Sequence, residues 1–166
     1  MADWKKALQV MADKKRPKED FPLMGYEVYM PSTNASFPAE LPHSDDITTF
    51  YELCDGGMLG DLIWFQLYEL PQKNSFWQMS LKDIYPNNLP PIFAEIHLVV
   101  AENTQEFPLI WDKSTNQLDL FDMNKLEWVR TRKHFDEFMC ELFDVEVQSV
   151  LDDSWGTALI QLERML

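Results

Sequence analysis

Residues 41–68 read LPHSDDITTFYELCDGGMLGDLIWFQLY, a capped helix, a glycine turn and an apolar strand in that order. Ser44 is a good N-cap, since its hydroxyl can accept from amides that the first helical turn leaves unpaired, and Asp45 and Asp46 fall where the helix dipole favours negative charge. Ile47, Phe50, Tyr51 and Cys54 follow at i, i+3, i+4 and i+7, with Thr48, Thr49 and Glu52 between them. That spacing predicts a helix with one apolar stripe. Gly56 or Gly57 can then take the left-handed backbone that closes a helix, and Gly60 loosens the next turn. The nearly unbroken run Leu62–Leu67, bounded by Pro71, is read as one strand buried on both faces.

The same logic extends to either side. Trp4, Leu8 and Met11 recur at helical spacing, so residues 2–15 are expected to form an amphipathic helix that Pro17 ends, with Lys14, Lys15, Arg16 and Lys18 near its C-terminus. Tyr26–Met30 reads as a strand. Residues 71–88 carry no clear periodicity; Phe76, Trp77, Leu81 and Ile84 suggest one or two helical turns. From Ile92 to Ala101 the alternation is regular and predicts a strand with one fully apolar face. Phe107–Asp112 and Gln117–Asp122 flank Lys113–Asn116, whose turn-forming residues predict a hairpin, and Glu127–Val129 can add a short strand. Phe135, Phe138, Met139 and Leu142 mark another helix, entered from Thr131 or Arg132. Trp155, Leu159, Leu162 and Leu166 mark a last one, capped by Asp153 or Ser154. The short links between strands cannot hold crossover helices. The expected fold is therefore α+β: one mainly antiparallel sheet of about five or six strands with helices packed on one side, formed by residues 1–166 as a single domain with an N-terminal helix and arm over 1–20.

Charge narrows the function. The 166 residues carry 14 Lys/Arg against 28 Asp/Glu, a net −14, with six Trp, five Tyr and eleven Phe to build a core. Residues 1–20 are net +2, and between Phe21 and Asp112 only Lys73 and Lys82 oppose 13 carboxylates. Such a field repels phosphate backbones and anionic membranes and attracts basic proteins, so neither nucleic acid nor membrane is an expected direct partner. Solubility alone is the competing explanation of the acidity. No stretch has the ~20 apolar residues that cross a bilayer, and the N-terminus lacks a signal-peptide core, so the expected location is the cytosol. Cys54 and Cys140 lie on apolar stripes and suit reduced, packed thiols.

Residues 41–68 also resemble the signature of the SUKH superfamily, which groups fungal cell-wall regulators, bacterial immunity proteins and some viral proteins. Leu41–Pro42, Ile47, Phe50, Asp55–Gly56–Gly57 and the run from Leu62 are similar to its pattern, with Asp55 where the family usually has Asn. Downstream, FAEIHLVVAEN, FPLIWDKSTNQLDLFD and FDEFMCELF resemble the family's strand, hairpin and closing helix. The resemblance spans about residues 40–143. It implies a non-catalytic binding protein that neutralises a cognate toxin, often a nuclease, or else a regulatory scaffold.

Catalytic and metal readings are weaker. His43, His97 and His134 are scattered and the cysteines form no CxxC, so neither a metal nor a cofactor is expected. Ser154 lies outside any nucleophile elbow, and Cys54 is better read as core than as nucleophile. Asp55, Asp61, Glu95 and Asp112 could perform acid–base work if they converged, though a chain this acidic groups carboxylates by chance. Trp64, Trp77 and Trp111 are candidates for either core or interface. Asp45, Asp46, Asp55, Asp61 and Tyr68 are the expected contacts with a basic partner, and Leu41, Pro42, Phe50, Gly56 and Gly57 the expected structural motif.

Overall fold

The computed structural model describes residues 4–12, 26–31, 36–59, 62–84, 95–129 and 133–142. Their elements are α1 (Trp4–Ala12), β1 (Tyr26–Val28), α2 (Asp45–Leu53), β2 (Gly57–Leu59), β3 (Leu62–Trp64), a 3-10 turn (Leu67–Glu69) running into α3 (Leu70–Ile84), β4 (His97–Asn103), β5 (Pro108–Asp112), β6 (Gln117–Asp122), β7 (Glu127–Trp128), β8 (Lys133–His134) and α4 (Phe135–Leu142). Several expectations fall outside these residues: the basic cluster after α1, the start of the Ile92 strand, the lead-in at Thr131–Arg132, the helix around Trp155 to Leu166, and Gly60 and Asp61.

The fold is α+β. Eight strands form one antiparallel sheet in chain order from β1 to β7, with β8 paired to β6. Each strand from β2 to β7 folds back beside its predecessor, and α2 and α3 are the two longer excursions, between β1 and β2 and between β3 and β4. Direct pairing puts Gly57, Trp64 and Ala101 on one face and Met58, Ile63 and Glu102 on the other. On the first face Trp64 stacks on Phe50 of α2, ring centroids 4.5 Å apart, and the small Gly57 and Ala101 beside it leave room for the indole. Helices α1, α2 and α4 gather there. Trp4 of α1 meets Phe135 of α4 edge-on at 5.7 Å and donates to Asp136 at 2.6 Å. Each large side chain buried in this layer contributes about 2 kcal/mol.

The Ser44 cap forms as the sequence implies, its hydroxyl accepting from Ile47 N–H, and α2 buries Ile47, Phe50 and Tyr51. The helix ends differently. Cys54 is extended, at φ −153°, and its N–H still reaches the Phe50 carbonyl. Gly56 takes a left-handed φ of 72° two residues later, where a Cβ would lie 2.5 Å from the Phe65 carbonyl oxygen. Its conformation and the close approach of the next strand both demand glycine. Gly57, at φ 132°, opens β2.

The run Leu62–Leu67 is not one doubly buried strand. It stays in the sheet only to Trp64, and Ile63 is exposed between buried neighbours. Asp55 explains the exit: its carboxylate accepts from Leu67 N–H at 2.9 Å and from the Gln66 side-chain amide at 3.3 Å, drawing the chain out of the ladder. Glu69 then reaches back to Gln66 N–H at 2.9 Å and starts the turn that becomes α3. Pro71 sits in the first turn of α3, where its missing N–H has no helical partner anyway. Helix α3 is 15 residues long, not the one or two turns expected. Its buried stripe is Leu70, Asn74, Trp77 and Leu81, and the polar residue in that stripe hides the periodicity.

Asn74 is buried because β3 leaves early. The last bond from beyond β3 to β4 runs from Phe65 N–H to the Val100 carbonyl, so Val99 faces a vacated position. The Asn74 amide fills it, accepting from Val99 N–H at 2.7 Å and donating to the Val99 carbonyl at 3.0 Å. Helix α3 therefore takes over as neighbour of β4 and reaches the second face, where Trp77 donates to Glu102 at 2.8 Å. The helices are not all on one side. In β4 a bulge at Val100 shifts the register, so Leu98 and Ala101 share a face and the expected alternation is broken; both faces from His97 to Ala101 are buried.

The hairpin β5–β6 forms where expected, with β5 starting at Pro108 and not Phe107, and three turns share one device. Asn103, Asp112 and Asp122 end their strands and accept from amides two residues on, at Gln105, Ser114 and Asn124. Each turn closes through a left-handed residue: Glu106 at φ 64°, Asn116 at 52° and Leu126 at 57°. Strand β8, too short to show in the sequence, pairs Lys133 and His134 with β6 before α4 begins.

Replacing Asn74 by leucine keeps the volume but strands the buried Val99 N–H and carbonyl, each worth about 1–3 kcal/mol. Urea unfolding of Asn74→Leu is expected to show a loss of about 3 kcal/mol. A loss below about 1 kcal/mol would mean that Val99 finds other partners.

Candidate protein-binding surface

The acidic residues singled out in the sequence divide into two kinds. Asp45, in the first turn of α2, has an exposed side chain. Asp46 is half-buried and accepts from the Asn116 side-chain amide at 2.7 Å, tying α2 to the β5–β6 turn. Asn116 also accepts from Trp111 Nε1 at 2.8 Å, lies 3.2 Å from His134 Nε2, and accepts Phe135 N–H on its carbonyl. One turn residue thus joins α2, β5, β8 and α4. Asp55 is half-buried and committed to Gln66 and Leu67. Asp61 lies outside the described residues. Of the described carboxylates expected to meet a partner, Asp45 is therefore the one left facing water.

Leu41 and Pro42 lead into α2, Leu41 packing against the core and Pro42 buried. Their neighbour His43 turns its ring toward Phe37, which in turn meets Tyr51 at 6.0 Å. Burial pushes the Tyr51 hydroxyl well above the ordinary range for tyrosine, with Cys54 and Asp55 adding to it, and the hydroxyl donates to the Phe65 carbonyl at 2.8 Å. Burial likewise pushes the Cys54 thiol to about 12, so it is a packed hydrophobe at neutral pH and not a thiolate nucleophile.

The carboxylate set is spread over separate loops. Asp55 serves the exit from β3, Glu95 is exposed in the turn before β4, and Asp112 ends β5. Burial works to raise the Asp112 carboxyl, but bonds from the Ser114 hydroxyl and N–H, His97 across the strand pair at 3.5 Å, and Thr115 N–H together hold it below its ordinary value of 3.8. His97 is buried and His43 and His134 are exposed. Among the described residues no group of three or more His, Cys, Asp or Glu is placed to hold a metal ion, and no helix is long and apolar enough to cross a membrane.

The tryptophans go to the core: Trp64, Trp77 and Trp111 are all buried. Tyr68, in the 3-10 turn, is exposed over most of its surface. Sequence reasoning missed the apolar side chains that join it at the surface, Met58 and Ile63 on the second face of the sheet and Phe76 and Met79 on α3. The signal was the helix itself: once Leu70, Trp77 and Leu81 define the buried stripe, Phe76 and Met79 fall off it. Comparison of the chain with protein families, with characterised proteins and with solved structures finds no match.

Asp46→Ala and Asn116→Ala, alone and combined, test the anchor between α2 and the turn. Each single change is expected to cost about 1–3 kcal/mol, and the double less than the sum by at least ~0.5 kcal/mol, since one bond is lost in both. Strict additivity in urea titrations would show that the 2.7 Å bond contributes nothing.

For Asp112 the sign follows from its lowered pKa. A carboxyl more acidic in the folded than in the unfolded chain stabilises fully above the unfolded value, near pH 4, and that contribution is lost as pH falls through the folded value. Asp112→Asn should therefore reduce stability near neutrality and flatten its fall below about pH 4. An unchanged acid limb, followed by circular dichroism, would show that the turn does not bias the carboxyl.

Proposed function

We propose that the protein acts by binding, as an immunity protein that neutralises a toxin domain by stoichiometric occlusion. The observation that carries this reading is the one-sided charge. Among the described residues from 36 to 112, Glu40, Asp45, Glu52, Asp83, Glu95 and Glu106 are exposed, and Lys82 is the exposed lysine among them. Lys73 is drawn to Glu102 at 3.5 Å. A field of that sign attracts a basic protein from a distance and repels nucleic acid. A nuclease domain must carry basic surface to grip phosphate, so an acidic protein that covers it competes with its substrate directly. The resemblance of residues 40–143 to the SUKH pattern supports the same reading, since that superfamily includes immunity proteins.

Catalysis is not needed for this function. The carboxylates with defined partners are spent on holding loops, which suits a rigid surface that binds without rearrangement.

Co-purification with the product of a neighbouring toxin-like gene, followed by stopped-flow association, tests the proposal. The expected complex is 1:1, with a basic partner and an association rate that falls at least tenfold between about 0.01 and 0.15 M salt. An acidic partner, or a rate indifferent to salt, would sink the electrostatic account.

A further inference from the structure

Helix α3 presents an apolar ridge to water. With Leu70, Asn74, Trp77 and Leu81 buried, the residues opposite or beside them at 3–4 residue spacing are Gln72, Phe76, Met79 and Asp83, and Tyr68 precedes them by one turn. Tyr68 is 77% exposed, Met79 67% and Phe76 57%. A solvent-facing helical stripe ordinarily carries charge, and three large apolar side chains along one are unexplained by packing.

The sheet beside α3 also exposes apolar side chains. Phe76 meets the Trp77 ring edge-on at 5.4 Å, Trp77 donates to Glu102 at 2.8 Å, and Glu102 is the cross-strand partner of Ile63, which pairs with Met58. Ile63 is 44% exposed and Met58 38%. Met58, Ile63 and Glu102 share the second face of the sheet, and the Trp77–Glu102 bond sets α3 beside it, so that the ridge and the strands flank one corner. Its border is acidic: Glu69 at the start of α3, Asp83 near its end, Glu102 between helix and sheet. Of the two lysines on α3, Lys73 lies against Glu102 and over the Phe65 ring at 5.0 Å, and Lys82 is exposed beside Asp83.

We infer that this corner is where a basic protein docks, with Phe76, Met79 and Ile63 entering an apolar patch on the partner while a Lys/Arg rim meets the surrounding carboxylates. The inference rests on the binding function proposed above and adds the surface. Charge selects the occupant. A second copy of the chain would bring another net −14 against the first, whereas a cationic rim around an apolar centre satisfies both components. The arrangement is that of an interface core, apolar in the middle and polar at the rim, where few side chains supply most of the affinity.

The probe is a helical peptide of about fourteen residues, roughly four turns, with leucine on one face and lysine on the other. Two companions share its length, one with serine for leucine and one with glutamate for lysine. Titrated into the isotopically labelled full chain, the leucine–lysine peptide is expected to shift the amides of residues 68–83 and of Ile63. The double variant Phe76→Ser, Met79→Ser should bind it at least tenfold more weakly with an unchanged melting temperature, because both side chains are exposed in the free chain. Equal affinity for the serine–lysine peptide, with the variant binding as tightly as the parent, overturns the docking corner and leaves the acidic-field reading standing. Equal affinity for the leucine–glutamate peptide overturns the basic partner itself. Concentration-dependent dimers in sedimentation that the variant abolishes would assign the corner to a second copy. Methyl contacts between Met79 and residues 143–166 would assign it to the chain's own C-terminal segment. Either result overturns the proposal.

Discussion

The amide of Asn74 on the backbone of Val99 is the interaction on which the arrangement of this protein turns. Strand β4 is seven residues long and β3 three, so part of the longer edge loses its neighbour. Buried backbone groups left in that state are costly, and the structure answers with one side chain that supplies a donor and an acceptor together. Everything on the second face follows from it. Because Asn74 must reach Val99, α3 runs beside β4, Trp77 arrives over Glu102, and Phe76 and Met79 are turned outward. The polar residue that secures the helix is thus the reason its outer face carries the apolar ridge.

A second constraint works at the turns. Asn103, Asp112 and Asp122 each bend the chain with a side-chain carbonyl or carboxylate, and each bend ends in a residue with positive φ. Asn116 does this and more, since its side chain also binds Asp46 and Trp111. Asparagine tolerates the left-handed backbone better than Glu106 or Leu126 do, and it has both a donor and an acceptor to spend. That combination lets one turn residue lock α2 over the sheet and fix the start of α4.

These roles change how the acidity is read. Asp46, Asp55 and Asp112 are part of the framework, each with named hydrogen-bond partners. Their charges still add to the field around the molecule, but they are not free to reorganise around a partner. The carboxylates that face water, such as Asp45, Glu52 and Asp83, are different residues from these. The carboxylates that hold the loops and those that only add to the surface field are therefore separate sets.

The hairpin β5–β6, the Ser44 cap, the stripes of α2 and α4 and the antiparallel α+β class were legible in the sequence. Each depends on neighbours within a few residues: alternation along a strand, spacing around a helix, an oxygen beside a helix start. Tyr68 is exposed, but it lies in the 3-10 turn and not at the end of a strand over Leu62–Leu67. The early exit of β3, the full length of α3, the bulge in β4, strand β8 and the outward turn of Phe76 and Met79 were not legible. All five depend on residues distant in the chain. Asp55 draws Leu67 out of the sheet, and Val99 claims Asn74 from 25 positions away, placing a polar side chain where the apolar stripe of a helix would otherwise have announced itself. Local periodicity determines which faces are apolar, whereas pairing of buried backbone groups determines which of those faces finds a neighbour. Only the folded chain decides the second, because hydrogen bonds are satisfied by whatever arrives, not by what is adjacent in sequence.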